Sequence, residues 1–207
     1  MRAPLLIQKM FPSITWRMPG DKKKIFLTFD DGPIPEVTPW VIETLSKYNA
    51  KATFFCIGEN VVKHPQVFDQ LKSSGHQIGN HTYHHMNGWK VTNNDYYKDI
   101  EECNKLVDSP LFRPPYGKIK PSQIRHLKNK YKLVMWDVLS RDYDRARTGE
   151  QCMNTVKQES EAGSIIVFHD SLKAQERLRI ALPGILKHFS EQGFEFARLE
   201  FDDQRLK

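Results

Sequence analysis

Four short strings hold most of the side chains that could do chemistry. They are Thr28-Phe29-Asp30-Asp31-Gly32-Pro33, His81-Thr82-Tyr83-His84-His85, Arg113-Pro114-Pro115-Tyr116-Gly117 and Val167-Phe168-His169-Asp170. Each follows an apolar, β-branched or aromatic run, so each falls where a buried strand would reach its C-terminal end. In barrels of alternating strands and helices, that end carries the active site. Two adjacent carboxylates, Asp30 and Asp31, would repel one another in a shared pocket unless a cation neutralised one of them. An Asp-Gly-Pro turn alone explains the pair less well once the histidines are counted.

Three histidines in five residues are not easily explained by packing. On a helical turn, His81 and His85 would share one face and chelate one divalent ion. His81 with His84 would also fit a turn, so one of the three is expected to be a bystander. One carboxylate and two imidazoles leave coordination positions open for water and substrate. Zinc is the first expectation, with cobalt, nickel or manganese compatible with the same ligands. Arg113 precedes a stiff diproline and could hold a carboxylate in a bidentate fork, with a surface arginine beside a turn as the alternative. Tyr116-Gly117 could bring a backbone N–H toward a developing oxyanion. His169 reads either as a core histidine or as a general acid. The second role needs a raised pKa, for which Asp142 is the candidate neighbour. Trp89, Tyr116 and Tyr143 could hold a sugar ring or simply pack.

These residues need a scaffold to bring them together, and the chain of 207 residues is of a size for one domain. Strand-like and helix-like runs alternate from Lys24 onward. Strands are expected at 25–29, 52–57, 77–80, 111–113, 132–138, 165–168 and 194–199. Helices are expected at 37–48, from an Asn60 cap to 74, from a Thr92 or Asn94 cap to 108, and at 121–130, 150–161 and 175–192, the last kinked or broken at Pro183-Gly184. Seven βα units without a break in composition make one α/β domain at 24–207, preceded by an N-terminal arm at 1–23. Pattern alone does not choose between a barrel and an open doubly wound sheet.

Composition excludes several classes. Hydrophobic content of 39% supports a core, and the chain shows no low-complexity tract. No apolar run approaches the ~20 residues of a bilayer span. Gln8 and Lys9 interrupt the apolar N-terminus, which reads as an arm and not a secretory signal, so a cytoplasmic location is the default expectation. The net charge of +6 is dispersed. Its densest stretch, Lys118 to Lys132, carries Ile124 and Leu127 at helical spacing and reads as a solvated helix face. Without interleaved aromatics it is no nucleic-acid surface, though it could draw weakly on anionic polymers. Cys56, Cys103 and Cys152 are odd in number and lack CxxC spacing, against a disulfide framework or structural zinc.

Taken together, the strings resemble the polysaccharide deacetylases of carbohydrate esterase family four, the NodB homology domain. The likeness runs from about Lys24 to Leu199. Thr28 to Pro33 is the family's first motif. His81, Thr82 and His85 match His-Thr-x-x-His, which makes His84 the odd one out, and Arg113-Pro114-Pro115-Tyr116 matches the third. The resemblance implies a distorted (β/α)7 barrel that hydrolyses N-acetyl groups, usually on N-acetylglucosamine units of chitin or peptidoglycan. By position it makes Asp30 the general base for a metal-bound water and Asp31, His81 and His85 the metal ligands. Arg113 would orient Asp30, and the Tyr116 amide would bind the oxyanion. His169, tuned by Asp142, would be the general acid. Two positions depart from the family. Its fourth motif, Asp-x-x-Asp-Trp, reads Leu139-Ser140-Arg141-Asp142-Tyr143 here, and the leucine two residues before the motif-five histidine is Val167. A cytoplasmic enzyme would need a smaller or recycled glycan. A deacylase or deformylase of a small amide is the alternative within the fold, and a silent glycan-binding module the alternative outside catalysis. Binding alone does not need both a base and an acid, which disfavours the last.

Overall fold

The structure is a computed structural model that describes residues 5–20 and 22–201. In chain order the elements are α1 (Leu5–Met10), β1 (Ile14–Thr15), β2 (Lys24–Asp30), α2 (Thr38–Ser46), β3 (Thr53–Cys56), α3 (Gly58–Lys63), α4 (Pro65–Ser73), β4 (Gln77–Asn80) and α5 (Asn93–Val107). There follow β5 (Leu111–Phe112), α6 (Pro121–Leu127), β6 (Lys132–Val134), β7 (Val138–Leu139), α7 (Gly149–Glu159), β8 (Ile165–His169), α8 (Gln175–Glu191) and β9 (Glu195–Phe196). Among the described residues, no helix is long and apolar enough to cross a membrane.

The strands pair in parallel in the order β1-β6-β5-β4-β3-β2-β8-β7. β6 and β7 lie far apart in this order, yet only Met135, Trp136 and Asp137 separate them in the chain. So short a link forces the sheet to curl round on itself, giving the expected distorted β/α barrel, with β2 to β8 as its seven strands and β1 added beside β6. The central strands are buried on both faces. β2 is buried from Ile25 to Asp30, and Phe29 stacks between Phe54 and Phe168. Continuous apolar runs of this kind are what a parallel sheet covered by helices requires. The three cysteines are free and buried.

The elements differ from expectation at five places. The stretch 132–138 is two strands, because the chain crosses the barrel seam between them. The helix expected up to Ser74 is split at His64, since the residue before Pro65 is pushed out of the α region (φ −131, ψ 56). Conversely, α8 runs unbroken through Pro183, and Gly184 there leaves room for Met153 of α7, into which a Cβ would project at 2.3 Å. The seventh expected strand is reduced to β9, which lies off the main path beside Lys24 and Ile25 at the start of β2. Finally, residues 1–23 do more than precede the barrel. β1 pairs with Leu133 and Val134, Arg17 bridges to Ser164, and Met18 N–H donates to Gly163 O. This segment therefore laces β6 to the start of β8 across the seam. Residues 1–4, 21 and 202–207 lie outside the described residues.

Candidate active site

Because all the barrel strands run parallel, their C-terminal ends share one rim, and that rim gathers the reactive side chains. Asp30 ends β2 and His169 ends β8, and the two are direct register partners. His81 follows β4, Arg113 follows β5, and Asp142 lies three residues beyond β7. The rim opens on a cavity of about 460 Å³, whose lining includes Asp30, Asp31, His81, His85, Tyr116 and His169.

Asp31, His81 and His85 offer ligand atoms that all lie within 4.8 Å of one another. Asp31 Oδ1 is 3.3 Å from His85 Nε2 and 3.9 Å from His81 Nε2. Ligands about 2.1 Å from a zinc ion stand about 3.4 Å apart in a tetrahedron, so the donor set fits such an ion and leaves one position open. His81 Nδ1 is 2.7 Å from Arg113 O, which aims Nε2 at the ligand cluster. Burial pulls the pKa of His81 down to about 4 and outweighs the pull of Asp30; burial likewise lowers His85. Both rings are thus neutral at neutral pH, the form that binds metal. The expected helical turn is absent. Residues 81–86 are irregular, with Thr82 (φ 65) and His85 (φ 55) in the left-handed region, and it is this backbone that turns both imidazoles inward. His84 points elsewhere, its Nδ1 2.5 Å from Asp99 Oδ1.

Arg113 is fully buried. Its Nη1 donates to Asp30 Oδ1 (2.7 Å) and to Thr28 Oγ1 (2.7 Å), while Nη2 reaches Met135 O (2.9 Å). Its guanidinium carbon lies 4.1 Å from the centre of the Phe55 ring. The contact with Asp30 is therefore single, not the bidentate fork expected, because backbone carbonyls and Thr28 take the other donors. Burial alone would raise the Asp30 pKa, but the charge and hydrogen bond of Arg113, with the charge of His169, turn the balance and hold it low.

His169 has the opposite electrostatics from His81. Its Nδ1 is 2.7 Å from Asp142 Oδ1, and its N–H donates to Asp142 Oδ2 at 2.8 Å. Burial would lower its pKa, yet the Asp142 charge and hydrogen bond, with smaller help from Asp31 and Asp30, lift it to about 9. Opposed shifts of this kind let neighbouring histidines take different protonation states at one pH.

Tyr116 sits at φ 59, its ring 4.5 Å from that of His85, and its N–H donates to no protein acceptor among the described residues. Tyr143 lies edge-on to His169 at 5.1 Å. Trp136, Leu139 and Val167 give the cavity an apolar side. Trp89 is exposed and stands outside the cavity lining, with Lys118 Nζ 4.1 Å over its ring. Sequence reasoning missed Thr28, which braces Arg113, and Asp99, which accepts from the N–H groups of Tyr83 and His84. It also missed Asp170, whose carboxyl is pushed up to about 8 by burial.

A sequence model described as polysaccharide deacetylase matches residues 17–136. The chain belongs to the polysaccharide deacetylase family. It is 35% identical over 201 residues to a peptidoglycan-N-acetylglucosamine deacetylase of Bacillus cereus, covering 93% of this chain and 94% of that protein. It is 36% identical over 169 residues to a chitooligosaccharide deacetylase of Azorhizobium caulinodans, covering 77% and 80%. Among solved structures, the Bc1960 peptidoglycan N-acetylglucosamine deacetylase superposes with a TM-score of 0.87 at 30% identity over 95% of both chains. A family pseudoenzyme from Bacillus anthracis shares the fold at TM-score 0.79 and 22% identity, over 93% of this chain and 68% of that one. Membership thus supports a carbohydrate N-deacetylase, a hydrolase of this fold, and leaves the chemistry to be argued from the site.

Proposed function

We propose that this chain removes N-acetyl groups from N-acetylglucosamine units of a glycan, using a divalent ion held by Asp31, His81 and His85. The observation that carries this reading is the pairing of an ionised Asp30 with a protonated His169 on adjacent strands, beside that donor set. When bound, the ion would acidify a water molecule and polarise the acetyl carbonyl.

The chain's own groups account for the remaining steps. Asp30, kept ionised by Arg113, takes a proton from the attacking water. The Tyr116 N–H faces the oxygen that gains charge as the carbonyl carbon becomes tetrahedral. His169 then gives its proton to the sugar nitrogen as the C–N bond breaks, so acetate and a free amine leave. A glucosamine anion is too poor a leaving group to depart unprotonated, which is why an acid is needed as well as a base. Val167 and Leu139 form part of the wall available to the acetyl methyl. Leu139 stands where the family's fourth motif places its first acid. That substitution leaves the Asp142–His169 pair intact, since the second acid is the one in contact.

A silent binding module would not need Asp30 and His169 held in opposite protonation states. The test is acetate release from N-acetylglucosamine oligomers by protein stripped of metal and then reloaded with zinc or cobalt. Release restored by metal supports the proposal. No release at any oligomer length, with metal bound, would refute it and favour a small amide substrate.

A further inference from the structure

Asp31 has an unusual backbone for an aspartate, with φ at +84. The left-handed region favours glycine, so a non-glycine residue is held there by its surroundings. Two side chains from distant parts of the chain do the holding. Asn60 Nδ2 donates to Asp31 O at 2.7 Å, and Asp170 Oδ1 accepts from the Gly32 N–H at 3.0 Å. These are the two polar atoms of one peptide group, the one that follows Asp31. The peptide group before Asp31 is held too, since Asp170 N–H donates to Asp30 O at 3.1 Å.

Asp170 is itself fixed. Its Oδ2 accepts from the Thr38 hydroxyl at 2.5 Å, and that hydroxyl accepts from the Ile34 N–H at 2.8 Å. The carboxylate also lies against Gly32 so closely that a Cβ there would come within 2.0 Å of Oδ2. With both flanking peptide planes tied down, φ and ψ of Asp31 are determined, and with them the direction in which its Cα–Cβ bond presents the carboxylate to the cavity. Asn60 reads from sequence as a helix cap; α3 instead begins at Gly58, and Asn60 sits in its first turn with its amide turned to Asp31.

We propose that Asn60 and Asp170 are positioning residues that set the affinity of the metal site through the backbone of Asp31. This rests on the reading of Asp31, His81 and His85 as ligands. Neither residue belongs to the donor set, and neither lines the cavity. Groups that orient ligands typically change metal affinity by about 10- to 100-fold when removed.

The test is zinc affinity, measured by competition with a chromophoric chelator at a temperature well below the melting point of each variant. Asn60→Ala and Asp170→Ala should each weaken zinc binding by about tenfold or more, while Asp170→Asn, which keeps an acceptor for Gly32, should stay within about threefold of the parent. A purely structural role would lower the melting temperature and leave the affinity unchanged, and that result in Asn60→Ala would overturn the proposal. So would an Asp170→Asn variant as weak as Asp170→Ala, because charge and not geometry would then be responsible. Should Asp170→Ala fail to fold, Asn60→Ala and Asp170→Asn decide the matter. Parent protein that binds no zinc at all would instead refute the ligand assignment, a separate outcome.

Discussion

Replacing Asp142 by asparagine should disarm His169 without emptying the metal site. Asp142 is fully buried and accepts two hydrogen bonds from His169, one from the ring and one from the backbone. It is the largest influence raising the imidazole to about 9 against the lowering effect of burial. With the charge gone, burial dominates, and the pKa should fall to 6 or below, taking ~6 for the arithmetic. At pH 7.5, the protonated fraction would drop from about 97% to about 3%, a loss of roughly thirtyfold in competent enzyme. A cation on Asp31 would oppose the smaller share contributed by Asp31 and Asp30, so in the loaded enzyme the limb should lie somewhat below 9.

The same shift has a stability consequence with a definite sign. The folded-state pKa lies above the ordinary 6.5, so the stabilisation is fully present below about pH 6.5 and is lost as pH rises through about 9. The displacement corresponds to about 3 kcal/mol as an order of magnitude. Asp142→Asn should therefore lower the melting temperature more at pH 6 than at pH 10. The assays are kcat/KM from pH 5 to 10 and thermal melts at the two extremes. An alkaline limb that stays in place in the variant would refute the assignment of His169 as the acid.

Three further variants separate the remaining roles. Asp30→Asn should abolish acetate release yet retain bound metal, as measured by elemental analysis after dialysis; loss of the metal would show that Asp30 is a ligand and not the base. His85→Ala should strip the metal and lower the melting temperature in zinc, because a bound ion stabilises the fold by linkage. His84→Ala should do neither, since that ring is engaged with Asp99, and metal loss from it would reverse the two assignments.

The reactive residues were legible because strand ends concentrate them into short strings, and the order of those strings survives in the chain. The buried strands were legible too, as apolar runs such as Ile25-Phe26-Leu27 and Ile165-Ile166-Val167-Phe168. What stayed hidden depends on partners far away in sequence. Thr28 looks like strand filler until Arg113 reaches it across 85 positions, and Asp170 looks like a loop acid until Gly32 and Thr38 are found against it. The segment before Lys24 carries no periodicity that would announce a strand, because β1 is only two residues long. The spacing of His81 and His85 predicted a shared helical face, whereas the two rings are brought together by a chain that is left-handed and irregular there.

Asp30 and His169 are rungs of one ladder, directly opposite on paired strands, with Thr28 and Val167 two rungs below. Paired strands lie about 4.8 Å apart whatever their side chains. On the proposed reading, the gap between the group that would receive a proton and the group that would return one is thus set by backbone pairing. A slip of one residue would turn one of them to the other face of the sheet. Loops can be rewritten around such a pair without disturbing it. Selection for a new acyl group or a new glycan can act on Val167, Leu139, Tyr143 and Lys173 at the cavity wall while the proton-handling distance stays constant. The barrel in effect separates what the enzyme does from what it does it to.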